Sequence, residues 1–216
     1  MLSRLTKKLS GIVAGKQTPA ANGVAGADWY DAAYRSVGAY AIPYWQSHYY
    51  FLWSVIADRI RSARLRRVLD IGCGPGQLAA CLFEMAEIEA YVGLDFSNQA
   101  IAMARQACPR GQFVVGDART TSIHAEAAHD VVVCTEVLEH LPEDLEVVKS
   151  FTPRKRCLCT VPNFPWESHV RHFKSAEQVA ARYAPYFDGL DVHAMRVSEP
   201  NVFFLMDGVR NAFGRE

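Results

Sequence analysis

Five short runs of near-continuous apolar character recur along the chain: RRVLDIG from Arg66, AYVGLDF from Ala90, QFVVGDA from Gln112, DVVVCTE from Asp130 and RCLCTVPN from Arg156. Their length and β-branched content predict strands covered on both faces. Between the first three lie segments with helical spacing, GQLAACLFEMAE and SNQAIAMARQAC, and VLEHLPEDLEVVKS follows the fourth as a further predicted helix. After the fifth, KSAEQVAARYAPYF reads as a helix in which Ser175 and Gln178 have capping-box spacing. Two last runs, LDVHAMRV and NVFFLMDGV, are close enough to pair as an antiparallel hairpin. Strand–helix alternation of this kind predicts an α/β fold, a doubly wound and mostly parallel sheet, in a single domain over residues 28–216.

Two segments precede the alternation. Residues 1–27 carry Arg4, Lys7, Lys8 and Lys16 and no acid, and Leu2, Leu5, Leu9 and Ile12 would share one face of a helix. They read as a flexible basic tail, with contact to a membrane surface left open. From Asp28 to Ile60 the chain is rich in Trp and Tyr, among them Trp29, Tyr30, Tyr34, Tyr40, Tyr44, Tyr49 and Trp53. One or two helices interrupted near Pro43 are expected, either packed on the main domain or covering a ligand.

Composition narrows the function. The 23 basic and 23 acidic residues cancel, so no bulk charge draws the chain to nucleic acid. None of the six cysteines forms a C-x-x-C pair, and most sit among apolar residues, so they are expected to be buried thiols of a soluble, cytoplasmic protein. No apolar run reaches membrane-spanning length.

The chemistry concentrates in VLDIGCGPGQ, Val68 to Gln77. Glycines at 72, 74 and 76 lie where the first strand leaves the sheet and a helix begins, the edge at which such sheets bind ligands. Dinucleotides and S-adenosylmethionine both use such a turn. The dinucleotide pattern G-x-G-x-x-G would need glycine at 77, where Gln77 stands, and Pro75 removes an N–H from the turn. Asp95, at the end of the second strand, suits a ribose diol in either ligand.

With GLDFS, VGDA and CTEVLEHL following in order, VLDIGCGPG resembles the successive cofactor motifs of class I S-adenosylmethionine-dependent methyltransferases over Val68–Leu141. The resemblance implies a Rossmann-like seven-stranded sheet of order 3-2-1-4-5-7-6 and methyl transfer from S-adenosylmethionine to an O or N nucleophile of a small polar molecule. It places Asp70, Gly72, Cys73, Gly74 and Gly76 around the methionine portion and Asp95 on the ribose, with Phe96 beside the adenine. Asp117 and the Ala118 N–H would meet the adenine edge, and Thr135 and Glu136 would border the reaction centre.

His140 and His169, with His172, follow strands four and five at the ligand edge, and the first two are the candidate general bases. His124, His129 and His193 have no such placement. No metal is expected on this reading. A rival reading uses Glu136, Glu139 and His140 on one helix face with His169 or His172, which resembles the metal site of small-RNA terminal 2′-O-methyltransferases. Against it, the basic clusters at Arg61–Arg67 and Arg154–Arg156 lead into strands at the opposite edge. A catalytically silent binding protein of the same fold is the third possibility. Tyr30, Tyr34, Tyr40 and Tyr49 are candidate lid residues, and 164–173 are expected to shape the acceptor pocket.

Overall fold

The computed structural model describes residues 24–36, 38–198 and 200–212. The basic tail and its amphipathic helix, apart from 24–27, lie outside them. Seven strands form one sheet: β1 (Arg67–Ile71), β2 (Ala90–Asp95), β3 (Gln112–Val115), β4 (Val131–Thr135), β5 (Arg156–Pro162), β6 (Phe187–Ser198) and β7 (Asn201–Arg210). Their order is β3-β2-β1-β4-β5-β7-β6, as the resemblance implies. All neighbours pair in parallel except β7, which runs antiparallel to both β5 and β6.

Alternate residues of the central strands feed different cores, because successive side chains on a strand point to opposite faces. Val68, Val131, Val133 and Leu158 pack on one face against α2 (Tyr50–Ser62), α3 (Gln77–Met85) and α4 (Asn98–Ala107). Leu69, Ile71, Val132, Cys134 and Cys159 pack on the other against α6 (Asp144–Ser150) and α7 (Ala176–Tyr183). The first helix, α1 (Ala27–Ser36), and the short α5 (Ile123–Glu126) complete the set. All six cysteines are buried free thiols, as expected. Among the described residues no helix is long and apolar enough to cross a membrane.

The aromatic segment forms α1 and α2 with two 3-10 turns between them, Gly38–Tyr40 and Tyr44–Gln46, so it breaks where Pro43 predicts. α2 buries Leu52, Trp53, Ile56, Ala57 and Ile60, so this part of the segment is core. The helix expected over VLEHLPEDLEVVKS does not form as one piece. A 3-10 turn, Leu138–His140, is followed by Leu141 at φ −106°, ψ 118°, and α6 starts only at Asp144. Pro142 is the cause: it lacks an N–H and pushes the residue before it out of helical geometry. The cap of α7 forms with a shift. Ser175 Oγ accepts from Gln178 N (3.4 Å), but Gln178 Oε1 accepts from Lys174 N (2.8 Å) instead of the cap residue's own N–H.

The amino edge of the sheet carries the basic clusters, of which Arg61, Arg66, Arg67 and Arg156 are ion-paired. Arg67 forks onto Asp130 (2.8 Å), Arg156 onto Asp207 (2.6 Å), and Arg59 also reaches Asp207. Beside this edge His124 is buried with neither ring nitrogen hydrogen-bonded to protein, and His129 is buried with its Nε2 likewise unpartnered. Burial, then the neighbouring His129, lowers the His124 pKa from 6.5 to about 4. A histidine that resists protonation in the folded state stabilises fully above its unfolded pKa, and that contribution is lost as pH falls from 6.5 towards 4. His124→Gln is therefore expected to flatten the decline in thermal midpoint across that window relative to the parent chain; parallel midpoint curves would refute the assignment.

Candidate active site

Where β1 ends, Gly72 N (2.7 Å) and Cys73 N (3.0 Å) both donate to the Leu94 carbonyl of β2. This requires Gly72 at φ +78°, Gly74 at +53° and Gly76 at +81°, where a side chain is strained. The turn is then pinned a second time: Gly74 N donates to Asp95 Oδ2 (2.9 Å), and Ser97 N donates to Asp95 Oδ1 (2.9 Å).

The three glycines answer to different neighbours. A Cβ at Gly76 would sit 2.8 Å from the Ala104 Cα of α4, so that glycine seats helix against helix. A Cβ at Gly72 would overlap the Val137 side chain. A Cβ at Gly74 would meet only the Tyr34 hydroxyl, at 3.5 Å. Protein packing therefore accounts for two of the three, and only at Gly74 does room remain for something else.

A cleft of about 720 Å³, including its open mouth, runs along the carboxyl edge of the sheet. Of the residues expected at the site, Gly72, Asp95, Phe96, Asp117, Ala118, Glu136 and His140 line it. Asp70, Cys73, Gly74, Gly76, Thr135 and His169 are not on its wall. Asp70 lies buried beneath the turn, where the Tyr91 hydroxyl donates to its Oδ2 and its Oδ1 has no partner. Burial, reinforced by the charge of Asp95, raises its pKa to about 7 despite the Tyr91 bond. Burial likewise raises Asp95, to about 6, although the two backbone N–H groups oppose the shift.

Arg119 joins the wall without having been singled out in the sequence. Its Nη2 lies 2.6 Å from Asp117 Oδ2 and its Nε 3.0 Å from Oδ1, and this pairing lowers the Asp117 pKa. An acid and a base two residues apart after a strand is the only sequence signal for the pair. Val24 and Ala25, just before α1, also line the cleft.

α1 closes one side. Tyr30 and Tyr34 line the cleft, and Tyr30 stands edge-on to Phe96 (5.2 Å between centroids) and to His140 (5.9 Å). Asp31 fixes this helix to the β2–α4 turn by accepting from Ser97 Oγ and from Gln99 N (3.1 Å). Tyr40 and Tyr49 are not on the wall: Tyr40 backs Tyr34 (4.6 Å), and Tyr49 stacks on Trp53 (5.5 Å).

At the other end Glu136 holds φ +55°, unusual for a residue with a side chain. Buried Thr160 of β5 secures it: Glu136 N donates to Thr160 Oγ1 (3.1 Å), which donates back to Glu136 Oε1 (2.9 Å). Because no continuous helix follows β4, the one-face arrangement of Glu136, Glu139 and His140 does not arise by helical spacing. Glu139, His140 and His169 nevertheless converge, each offering a ligand atom within 4.8 Å of the others. His172, the other candidate for this cluster, is outside it.

Glu139 is fully buried, and neither of its oxygens meets a donor. The Nε2 atoms of His140 and His169 lie 3.6 Å and 4.0 Å from its Oε1. Each histidine uses its other nitrogen for the main chain, Nδ1 donating to Ser168 O (3.0 Å) and to Phe164 O (3.1 Å) respectively. That fixes both Nε2 atoms as lone-pair donors facing the carboxylate. Burial, then His169, lowers the His140 pKa to about 4, so the ring is neutral at pH 7. Burial raises the carboxyl pKa of both Glu136 and Glu139, and the charge of Glu136 raises Glu139 further.

This sheet order, with the glycine turn and the acid of β2 meeting at one cleft, is the class I methyltransferase fold. Residues 68–154 match the family model described as a methyltransferase domain. The ubiquinone biosynthesis O-methyltransferase of Vibrio cholerae serotype O1 (strain ATCC 39541) is 42% identical over 90 residues, 39% of this chain and 36% of that protein. The chain thus spans about a third of the length of the curated relatives it matches. Among solved structures, a chain from the Haloferax volcanii complex of the Trm112 methyltransferase activator with a methyltransferase superposes with TM-score 0.61 at 16% identity, covering 84% of this chain and 97% of that one. The Burkholderia thailandensis 1,6-didemethyltoxoflavin-N1-methyltransferase superposes with TM-score 0.57 at 17% identity, covering 74% and 78%. Over residues 68–154 the chain is thus similar to methyltransferase domains, set on a sheet with the class I methyltransferase strand order.

The glycine contacts make a stability test possible without any ligand. Gly76→Ala combines a left-handed φ with a collision against helix backbone and is expected to cost about 2–4 kcal/mol in urea denaturation. Gly74→Ala meets no such collision and is expected to cost about 1 kcal/mol. Equal losses would contradict the division of roles.

Proposed function

We propose that the chain is an enzyme that binds S-adenosylmethionine in this cleft and transfers its methyl group in line to a hydroxyl oxygen of a small molecule. The observation that carries the reading is the convergence on one cleft of the Gly72 turn, Asp95, the Asp117–Ala118 corner and the Glu136–His140 loop. The O-methyltransferase names of the Vibrio relatives support oxygen as the acceptor atom. The small-molecule acceptor is favoured over RNA because Arg67 and Arg156 lie paired at the opposite edge of the sheet.

In this reading Asp95 accepts from the ribose hydroxyls, Phe96 lies against the adenine, and the Ala118 N–H with Asp117 meets the adenine edge. Asp70 and Gly74 hold the turn around the methionine portion. The acceptor oxygen forms its bond to the methyl carbon as the carbon–sulfur bond breaks, and that electron pair stays on sulfur as S-adenosylhomocysteine. The hydroxyl proton leaves to the neutral His140, which faces the cleft, with Glu139 and His169 behind it. The cofactor supplies an activated methyl group, so the chain's share of the work is alignment and exclusion of water.

One observation favours a second reading, in which a divalent metal assists. The buried Glu139 carboxylate lacks any donor while two imidazole lone pairs face it, a donor set that fits a borderline cation. Glu139, His140 and His169 would hold the ion, and it would supply Lewis-acid activation of the acceptor hydroxyl.

Two measurements test these readings. Titration calorimetry with S-adenosylhomocysteine is expected to show binding that Asp95→Asn weakens about 10- to 100-fold, the usual worth of hydrogen bonds to a charged group. Because only the ionised carboxylate accepts both ribose hydroxyls, affinity is expected to fall as pH drops through about 6. An unchanged affinity in Asp95→Asn removes the ribose assignment. An acceptor screen of alcohols and phenols against amines, following release of S-adenosylhomocysteine, is expected to favour the hydroxyls; binding without turnover on any of them would instead support a silent binding protein. Turnover that survives exhaustive chelation excludes the metal-assisted reading.

A further inference from the structure

The break at Pro142 leaves the carbonyls of Leu138 and Leu141 with only long partners, Leu141 N at 3.4 Å and Asp144 N at 3.3 Å. A continuous helix would have satisfied them internally. Arg171, from the segment after β5, supplies the donors instead. Its Nη1 donates to Leu138 O (2.6 Å) and Leu141 O, and its Nη2 to Pro142 O (3.0 Å). The same Nη2 lies 3.2 Å from the fully buried Asp144, which Arg182 (2.6 Å) and the Tyr183 hydroxyl (2.7 Å) anchor to α7. Beside it, Val170 N (2.8 Å) and Arg171 N (3.3 Å) both donate to Glu139 O.

We propose that Arg171 is a positioning residue for methyl transfer: its guanidinium joins the loop that carries Glu139 and His140 to the segment that carries His169. The role rests on the reading that this group receives the acceptor proton. Only a planar fork offers several donors in fixed directions to three carbonyls and a carboxylate, so lysine replaces it in charge but not in geometry. Arg182 is the internal control, since its hydrogen bonds go to the same Asp144 carboxylate and not to the loop carbonyls that Arg171 holds.

The test uses the full chain and needs no acceptor. Imidazole Hε1 resonances of His140 and His169 are compared by NMR in Arg171→Gln and Arg182→Gln, with thermal midpoints and S-adenosylhomocysteine affinity measured alongside. Both variants are expected to melt earlier. Arg171→Gln alone is expected to shift the His140 and His169 signals, leaving exposed His193 in place and S-adenosylhomocysteine affinity unchanged. With an acceptor in hand, kcat is expected to drop about tenfold or more while KM for the cofactor holds. Unmoved imidazole signals in Arg171→Gln, or equal movement in Arg182→Gln, would reduce Arg171 to a structural role. Should Arg171→Gln not fold, Arg171→Lys is read by the same signals. These outcomes are independent of whether the methyl-transfer reading survives its own calorimetric test.

Discussion

One carbonyl oxygen organises the carboxyl edge of this sheet. Leu94 O accepts from two successive N–H groups of the turn after β1, at 2.7 Å and 3.0 Å. A chain that bends so tightly onto its neighbouring strand must pass through left-handed conformations, which is why glycine recurs. Once the turn is held there, Gly74 N reaches Asp95, whose two oxygens each take one backbone N–H and can each accept a second hydrogen bond. The same turn leaves a space at Gly72 into which Val137 fits, next to Glu136. The glycine turn and the loop after β4 are thus packed directly on one another.

Much of this was legible in the residues. Continuous apolar strands gave the doubly wound sheet because burial on both faces leaves no room for alternation, and the glycines gave the ligand edge. What sequence could not resolve was which glycine serves a ligand: Gly76 owes its identity to Ala104, about thirty residues on, and no local pattern reveals that contact. The loop after β4 departs from the expected helix: VLEHL and EDLEVVKS each have helical spacing, but Pro142 between them stops the first before the second begins. The convergence of Glu139 with His140 and His169 holds despite that break, since the two loops meet through Val170, Arg171 and the Ser168 carbonyl instead of through helical periodicity. Arg119 carries no local pattern of its own, because its place on the wall depends on Asp117 facing the cleft.

The aromatic segment shows how far composition can mislead. Trp and Tyr side chains crowd the segment before β1, yet two phenols, Tyr30 and Tyr34, line the cleft. Trp53 and Tyr44 are buried in the core under the sheet, and Trp45 and Phe51 face solvent. What turns α1 into a wall is Asp31, which caps the start of α4 from outside and so fixes Tyr30 edge-on to Phe96.

Charge then ties the cleft to the chemistry proposed for it. Asp70, Asp95, Glu136 and Glu139 are all raised by burial, and of these Asp95 and Glu136 line the cleft while Asp70 and Glu139 lie behind it. A sulfonium carries the positive charge that these acids lack as a partner, and S-adenosylhomocysteine does not. Transfer of the methyl group would therefore remove the charge that favoured ionisation, so the product would be held by its hydrogen bonds and its adenine stacking alone. Acids whose ionised form is disfavoured by burial would hold a charged reactant more tightly than a neutral product. In the proposed reaction that difference favours release of the product and does not by itself speed the transfer step.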